Sequence, residues 1–323
     1  MQRLNFRDER GASAVLVVLL LVPLIGFGAL AVDLGAVYSE RRQLQNGADA
    51  AALAIGHDCA SGLPECGTAQ ATADELTEAN YDEAGSTHGV PVVTLGDSEV
   101  TVDNPGVQSH WLAPLIGHDE SDVTASATVR WGAPGSGTAV LPLAFSWCAF
   151  EAQADTDGTP LGTPVVVEGT KTDDTTCTGP SNLEVPGGFG WLDTDGGVCE
   201  STSSVDDVVY SDPGASVPAD CSPEYFVGLI GHTVLLPIFE ESGGTGAGSW
   251  YRIYAYAAFT ITGYDFGSPA YQYGPKACGL TGKGLGEVRC ISGSFIEYVD
   301  SSDEWAYDPD APDLGARVVE LVS

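Results

Sequence analysis

Hydrophobic positions along the chain fall into one long apolar run followed by shorter, patterned segments. From Ala12 to Val37 runs "ASAVLVVLLLVPLIGFGALAVDLGAV", 26 residues whose one charge is Asp33. At about 1.5 Å per residue this makes about 39 Å of helix, enough to cross a hydrocarbon core of ~30 Å. Pro23 lies mid-run, where a membrane helix tolerates a kink. If about 20 residues fill the core from Ala12, it ends near Ala31. Asp33 is then either an interfacial residue or a charge paired with a partner subunit. The run passes directly into "ERRQLQNGADAAALAIG", residues 40–56, which has no proline and one interior glycine, Gly47. Leu44, Ala48, Ala51, Ala52 and Ile55 recur at helical spacing, a narrow stripe of mostly small residues suited to close contact. The pattern predicts one rod from the span to about Gly56.

Residues 69–84, "AQATADELTEANYDEA", place Ala69, Ala73, Leu76 and Ala84 on one face of a second, short helix. After Gly89 the period changes to two. "PVVTL", "EVTV" and "DVTASATVRW" read as strands, the last with Val123, Ala125, Ala127 and Val129 on one face. "WGAPGSGTA", 131–139, is a Gly/Pro-rich break. Beyond it "VLPLAFSWCAF", "TPVVVEG", "HTVLLPIF", "WYRIYAYAAFTITGY" and "VRCISGSFIEYV" read as strands. Tyr251, Ile253, Ala255, Ala257, Phe259 and Ile261 form one apolar face, with Arg252, Thr260 and Thr262 turned away. The expected fold is α+β. A transmembrane helix continues into a pilin-like helix and small sheet, followed by a disulfide-bonded β-rich domain, sandwich or barrel-like. The boundaries are a cytoplasmic tail 1–11, a span 12–37, a helical extension and small sheet 38–131, a linker 132–139 and an extracytoplasmic β-rich domain 140–323.

Charge and cysteine narrow the compartment. With 12 Lys+Arg against 45 Asp+Glu the net charge is −33, which repels phosphate backbones and excludes nucleic acid as a partner. The chain is 43% hydrophobic, enough for packed domains despite that charge. Its eight cysteines, Cys59, Cys66, Cys148, Cys177, Cys199, Cys221, Cys278 and Cys290, form no C-x-x-C and no zinc-ligand spacing. They are disulfide candidates of an oxidising compartment, with Cys59–Cys66 the expected local pair. Arg3, Arg7 and Arg10 precede the span, Arg41 and Arg42 follow it, and every cysteine lies beyond it. Together these place the N-terminus inside and the rest outside the cytoplasmic membrane. A cleaved signal peptide is the rival, since Ala29-Leu30-Ala31 forms an A-x-A pattern. The apolar run, however, exceeds the ~7–15 residues of a signal h-region.

At residues 9–54 the order "ERGASAVLVVLLLVPLIGFGALAVDLGAVYSERRQLQNGADAAALA" resembles the N-terminal segment of TadG-like (TadE/TadG-type) proteins of the Flp pilus-assembly system. The positions that carry the resemblance are Arg10, Gly11, Asp33, Gly35, Tyr38, Arg42, Gln43, Leu44, Gln45, Ala48, Asp49, Ala50, Ala51 and Ala52. The resemblance implies a membrane-anchored pilus-assembly component whose partners are the membrane and other subunits of that apparatus. Two departures accompany it. Leu16 stands where related pseudopilins carry Glu five residues after a processed glycine, so prepilin-peptidase cleavage is not expected and the mature chain should begin near Met1. The metal-binding D-x-S-x-S of some longer relatives is absent, so that adhesive site is not carried over.

Catalytic motifs are missing. There is no H-E-x-x-H, no G-x-S-x-G and no P-loop; "ACGLTGKGL" has Ala277 and Gly284 where Gly and Ser/Thr belong. "GGTGAG", 243–248, joins two strand patterns and reads as a hairpin loop. The five histidines are scattered. "DTDG" occurs twice, giving Asp155, Asp157, Asp193 and Asp195 as weak calcium candidates, but neither copy completes an EF-hand loop and Asp-Gly is ordinary turn chemistry. The sequence therefore points to a non-enzymatic envelope protein with no cofactor, no metal and no small-molecule substrate. The alternative is a secreted binding module, or an enzyme acting on glycan or protein, released by signal peptidase.

Overall fold

The computed structural model describes residues 10–81, 86–170, 173–211, 216–245, 248–274 and 289–322. It is α+β, and the chain divides into two compact units. The first comprises Met1–Gly56, Pro64–Val129 and Leu321–Ser323; the second comprises His57–Leu63 and Arg130–Glu320.

The first unit is organised by helix α1 (Arg10–Ala60), which runs unbroken through Pro23. It extends one turn beyond the expected end at Gly56. Among its described side chains, those from Val15 to Val32 are exposed apart from partly covered Ala29. From Asp33 onward one stripe turns inward: Asp33, Glu40, Leu44, Ala48, Ala51, Ala52 and Ile55 are buried. Helix α2 (Ala69–Ala79) buries Ala69, Ala73 and Thr77. It is shorter than expected: Asn80 closes it with a side-chain bond to the Leu76 carbonyl (2.8 Å), and Ala84 lies outside the described residues. Strands β1 (Ser86–His88) and β2 (Val92–Leu95) pair antiparallel with β3 (Glu99–Ser109), whose other neighbour is β4 (Glu120–Gly132). Val123, Ala125, Ala127 and Val129 are buried, as their alternation predicts, and Leu44 of α1 packs with Val123 and Ala125.

The second unit is β-rich. Its elements are β5 (Pro134–Ala139), β6 (Leu143–Ser146), α3 (Trp147–Glu151), β7 (Val165–Glu168), β8 (Thr176–Thr178), β9 (Glu184–Pro186), β10 (Phe189–Trp191), β11 (Ser201–Ser204), β12 (Val208–Tyr210) and α4 (Pro223–Gly228). Then come β13 (Thr233–Gly243), β14 (Trp250–Asp265), β15 (Gln272–Tyr273), β16 (Cys290–Ile296), β17 (Tyr298–Asp300), β18 (Trp305–Tyr307) and β19 (Ala316–Val322). The main sheet runs β10-β6-β13-β14-β16-β7, with the antiparallel β13–β14 pair at its centre. "GGTGAG" lies between those two strands in the sequence, and its residues 246 and 247 are outside the described ones. Strand β5 is the centre of a separate three-stranded sheet with β11 and β18, and β8 pairs with β9. The core is aromatic: Phe145, Phe150, Phe259 and Phe295 form one cluster, with ring centroids of 4.8–5.3 Å across its pairs.

Two sequence expectations change here. The stretch assigned to a linker, 132–139, contains strand β5. Its glycines serve packing, because a Cβ on Gly137 would collide with the indole of Trp305 on the neighbouring β18. The stretch "VLPLAFSWCAF" is not one strand. It ends at Ser146, whose hydroxyl accepts from the Ala149 N–H (3.1 Å) and starts helix α3. Cysteine pairs Cys148–Cys177 and Cys199–Cys221 are disulfides. Cys59, Cys66 and Cys290 are also disulfide-bonded, and none of the described cysteines is a free thiol. Cys278 lies outside the described residues.

Candidate functional site

The site built by the motif-bearing segment is the seam between α1 and β3. Strand β3 lies antiparallel along the helix, and three contacts fix the register. Asn104 meets Leu44, Gly106 meets Glu40, and the residues just past β3 meet Asp33. About two helical residues at 1.5 Å match each strand residue at about 3.3 Å, so these contacts stay in step along the seam.

Asn104 is fully buried and ties three elements together. Its Nδ2 donates to the Leu44 carbonyl (3.0 Å), and its Oδ1 accepts from the Thr77 hydroxyl of α2 (3.1 Å). Two positions along, Gly106 lacks a side chain where the helix side chains press against the strand. A Cβ there would sit 2.7 Å from Glu40 Oε1 and 2.8 Å from Leu44 Cδ1. Glu40 is itself buried, and its carboxylate accepts from the Tyr81 hydroxyl (2.7 Å). Gln45 Nε2 reaches from the helix to the Ser126 carbonyl of β4 (2.9 Å) and to Asp49 (2.7 Å).

At the lower end, Asp33 is 5% exposed and accepts three successive backbone N–H groups. Trp111 donates to Oδ1 (2.9 Å), Ala113 to Oδ2 (2.7 Å), and Leu112 is shared between both oxygens (3.3 and 3.2 Å). These donors open the 3-10 turn Ala113–Ile116, where unpaired N–H groups concentrate and a carboxylate is favoured. The turn belongs to the connection between β3 and β4. It is closed at its base by the His110 N–H to the Asp119 carbonyl (2.9 Å) and at its end by Gly117 in the left-handed region. Asp33 is thus bonded within its own chain, so its carboxylate needs no partner subunit to satisfy it.

The remaining motif positions divide by face. Arg10 and Gly11 open α1. Leu44, Ala48, Ala51 and Ala52 are buried, while Gln43, Asp49 and Ala50 are half-buried at its margins. Gly35, Tyr38 and Arg42 face outward, and the Arg42 guanidinium lies over the Tyr38 ring (4.7 Å to its centroid). Asn104, Tyr81 and the Trp111–Ala113 turn were not singled out from the sequence. An asparagine at an inward position of a strand was the one available signal.

The calcium candidates do not converge. Asp155 caps its own turn by accepting from the N–H groups of Asp157 and Thr159 (3.0 and 2.9 Å), and Asp195 accepts from the Thr202 hydroxyl (2.6 Å). Among the described residues no three His, Cys, Asp or Glu are grouped to hold a metal ion. Among the described residues of the second unit, Glu240 is a buried carboxylate. Burial, then the neighbouring Glu241, pushes its pKa up. The P-loop-like "ACGLTGKGL" lies outside the described residues.

Residues 11–56 match the family model described as a putative Flp pilus-assembly TadE/G-like segment. That interval holds the apolar part of α1 and the whole inward stripe. Neither the curated proteins nor the solved structures contain a match to this chain.

Proposed function

We propose that the chain is a non-enzymatic, single-pass membrane component of the Flp pilus-assembly apparatus. It presents its disulfide-bonded β-rich region outside the cytoplasmic membrane to pilus or machine subunits. The observation that carries this reading is the division of α1. Within the family-matched interval the helix has one stretch exposed and apolar, long enough to cross a membrane, and one stretch clamped by its own sheet. A rigid helix that changes from lipid-facing to protein-facing transmits position from bilayer to head, which is a mechanical role. Oxidised cysteines beyond the helix and arginines ahead of it support an N-terminus inside. The proposed layout is a tail 1–11, a span 12–37 whose lipid-facing part ends at Asp33, and extracytoplasmic residues thereafter. The secreted alternative requires cleavage after Ala31, which lies inside continuous helix.

Deleting the gene and restoring it tests the reading. Surface pili should be lost on deletion and return with the full chain, but not with a chain lacking residues 12–37. Protease added to spheroplasts should digest the β-rich region and spare a tag placed ahead of Arg10. Normal piliation in the deletion strain overturns the assembly role; a digested tag overturns the orientation.

A further inference from the structure

We infer that the turn at residues 110–117 is a second membrane contact, in which Trp111 and Leu112 enter the lipid headgroup boundary beside α1. The inference rests on the reading of α1 as a membrane span. Four observations converge on it.

The first is depth. From Ala12, where the apolar run begins, to Asp33 are 21 residues, about 32 Å of helix, close to the ~30 Å of a hydrocarbon core. Asp33 therefore marks the outer boundary, and the turn bonded to it sits at the same level. The second is exposure. Trp111 is 74% exposed and Leu112 37%, an aromatic and an aliphatic side chain left uncovered at the foot of the first unit. Tryptophan is enriched at this depth because its ring suits the boundary between apolar and wet.

The third is charge. Residues 110–117, "HWLAPLIG", carry no carboxylate in a chain with net charge −33, and the acidic residues resume at Asp119 and Glu120. An acidic protein whose exposed turn carries no carboxylate of its own can bring that turn to a membrane with little repulsion from anionic headgroups. The fourth is attachment. Three N–H groups of the turn are spent on Asp33, so lifting the turn would strand a buried carboxylate. Ala29, one helical turn nearer the membrane, is already partly covered. Asp33 thereby acts as a positioning residue that holds Trp111 against the bilayer.

The full chain reconstituted in phosphatidylcholine–phosphatidylglycerol vesicles is the test. Flotation and resistance to alkaline carbonate first establish that α1 is inserted; failure here counts against the span itself. In vesicles with lipid brominated close to the headgroup, the Trp111 contribution is the emission of the wild type minus that of Trp111→Phe. It should be blue-shifted and quenched, and Asp33→Asn should reduce that quenching. Inserted protein whose Trp111 emission is unquenched and red-shifted overturns the inference, and shows the turn free for a protein partner instead. If Asp33→Asn fails to insert, the comparison with Trp111→Phe still decides, since an exposed side chain can change without loss of fold.

Discussion

Asn104 carries more of the first unit's architecture than its size suggests. A buried amide in an otherwise apolar seam is tolerated because both ends are matched, one by a helix carbonyl and one by the Thr77 hydroxyl. Its removal takes a hydrogen bond from each of these buried partners, a cost of about 1–3 kcal/mol for a buried polar group. Asn104→Ala should therefore lower the unfolding midpoint of the full chain in detergent. Gly106→Val tests the seam by crowding rather than by loss. Its new side chain would meet Glu40 and Leu44 within a packed contact, and overpacking typically costs about 1–3 kcal/mol. Because α1 and β3 meet at both positions, the double variant should cost less than the sum. Strict additivity in a double-mutant cycle would show that the two residues do not share one seam.

At the scale of elements, the long helix and the strands with one covered face were legible in advance because each follows a single period. The apolar face of β14 from Tyr251 to Ile261 is buried as its alternation requires. What alternation hides is that Tyr256 and Ala258, on the opposite face, are buried too. Tyr256 packs against Trp305 (4.9 Å between rings) and shares a hydrogen bond with Ser203 (2.9 Å), residues that no local pattern connects to it. Strand β5 escaped because glycine reads as a break, although here it admits Trp305. The Asp33 clasp escaped because its donors lie 78 to 80 residues away in sequence. The division of α1 makes its own prediction. Leu20 is exposed in the middle of the apolar stretch, so Leu20→Arg places a charge near the bilayer centre at about 2.5–3.5 kcal/mol on insertion scales. The carbonate-resistant fraction should fall while the packing of the first unit, read by protection of Asn104-side peptides, stays intact. Unchanged membrane retention would mean that this stretch does not cross lipid.

For the whole molecule, the opposing quantities are charge and covalent closure. A net charge of −33 keeps an exposed protein soluble but repels itself when compact. The second unit is rich in long connections, and two of them are closed by Cys148–Cys177 and Cys199–Cys221, at separations of 29 and 22 residues. Loop-closure entropy assigns each bond about 3.5 kcal/mol through restriction of the unfolded chain. That contribution exists only in an oxidising compartment, so the stability of the second unit depends on the redox state of its surroundings. Replacing Cys148 and Cys177 together by alanine should lower the urea midpoint of the near-ultraviolet signal of the full chain, to which the aromatic core contributes most. The wild type treated with reductant should drop further, because it also loses Cys199–Cys221. Non-reducing peptide mapping of protein from the envelope should recover both bridged peptides. Wild-type protein that keeps its midpoint in reductant would separate folding from compartment, and with it remove the cysteines as an argument for an extracytoplasmic β-rich region.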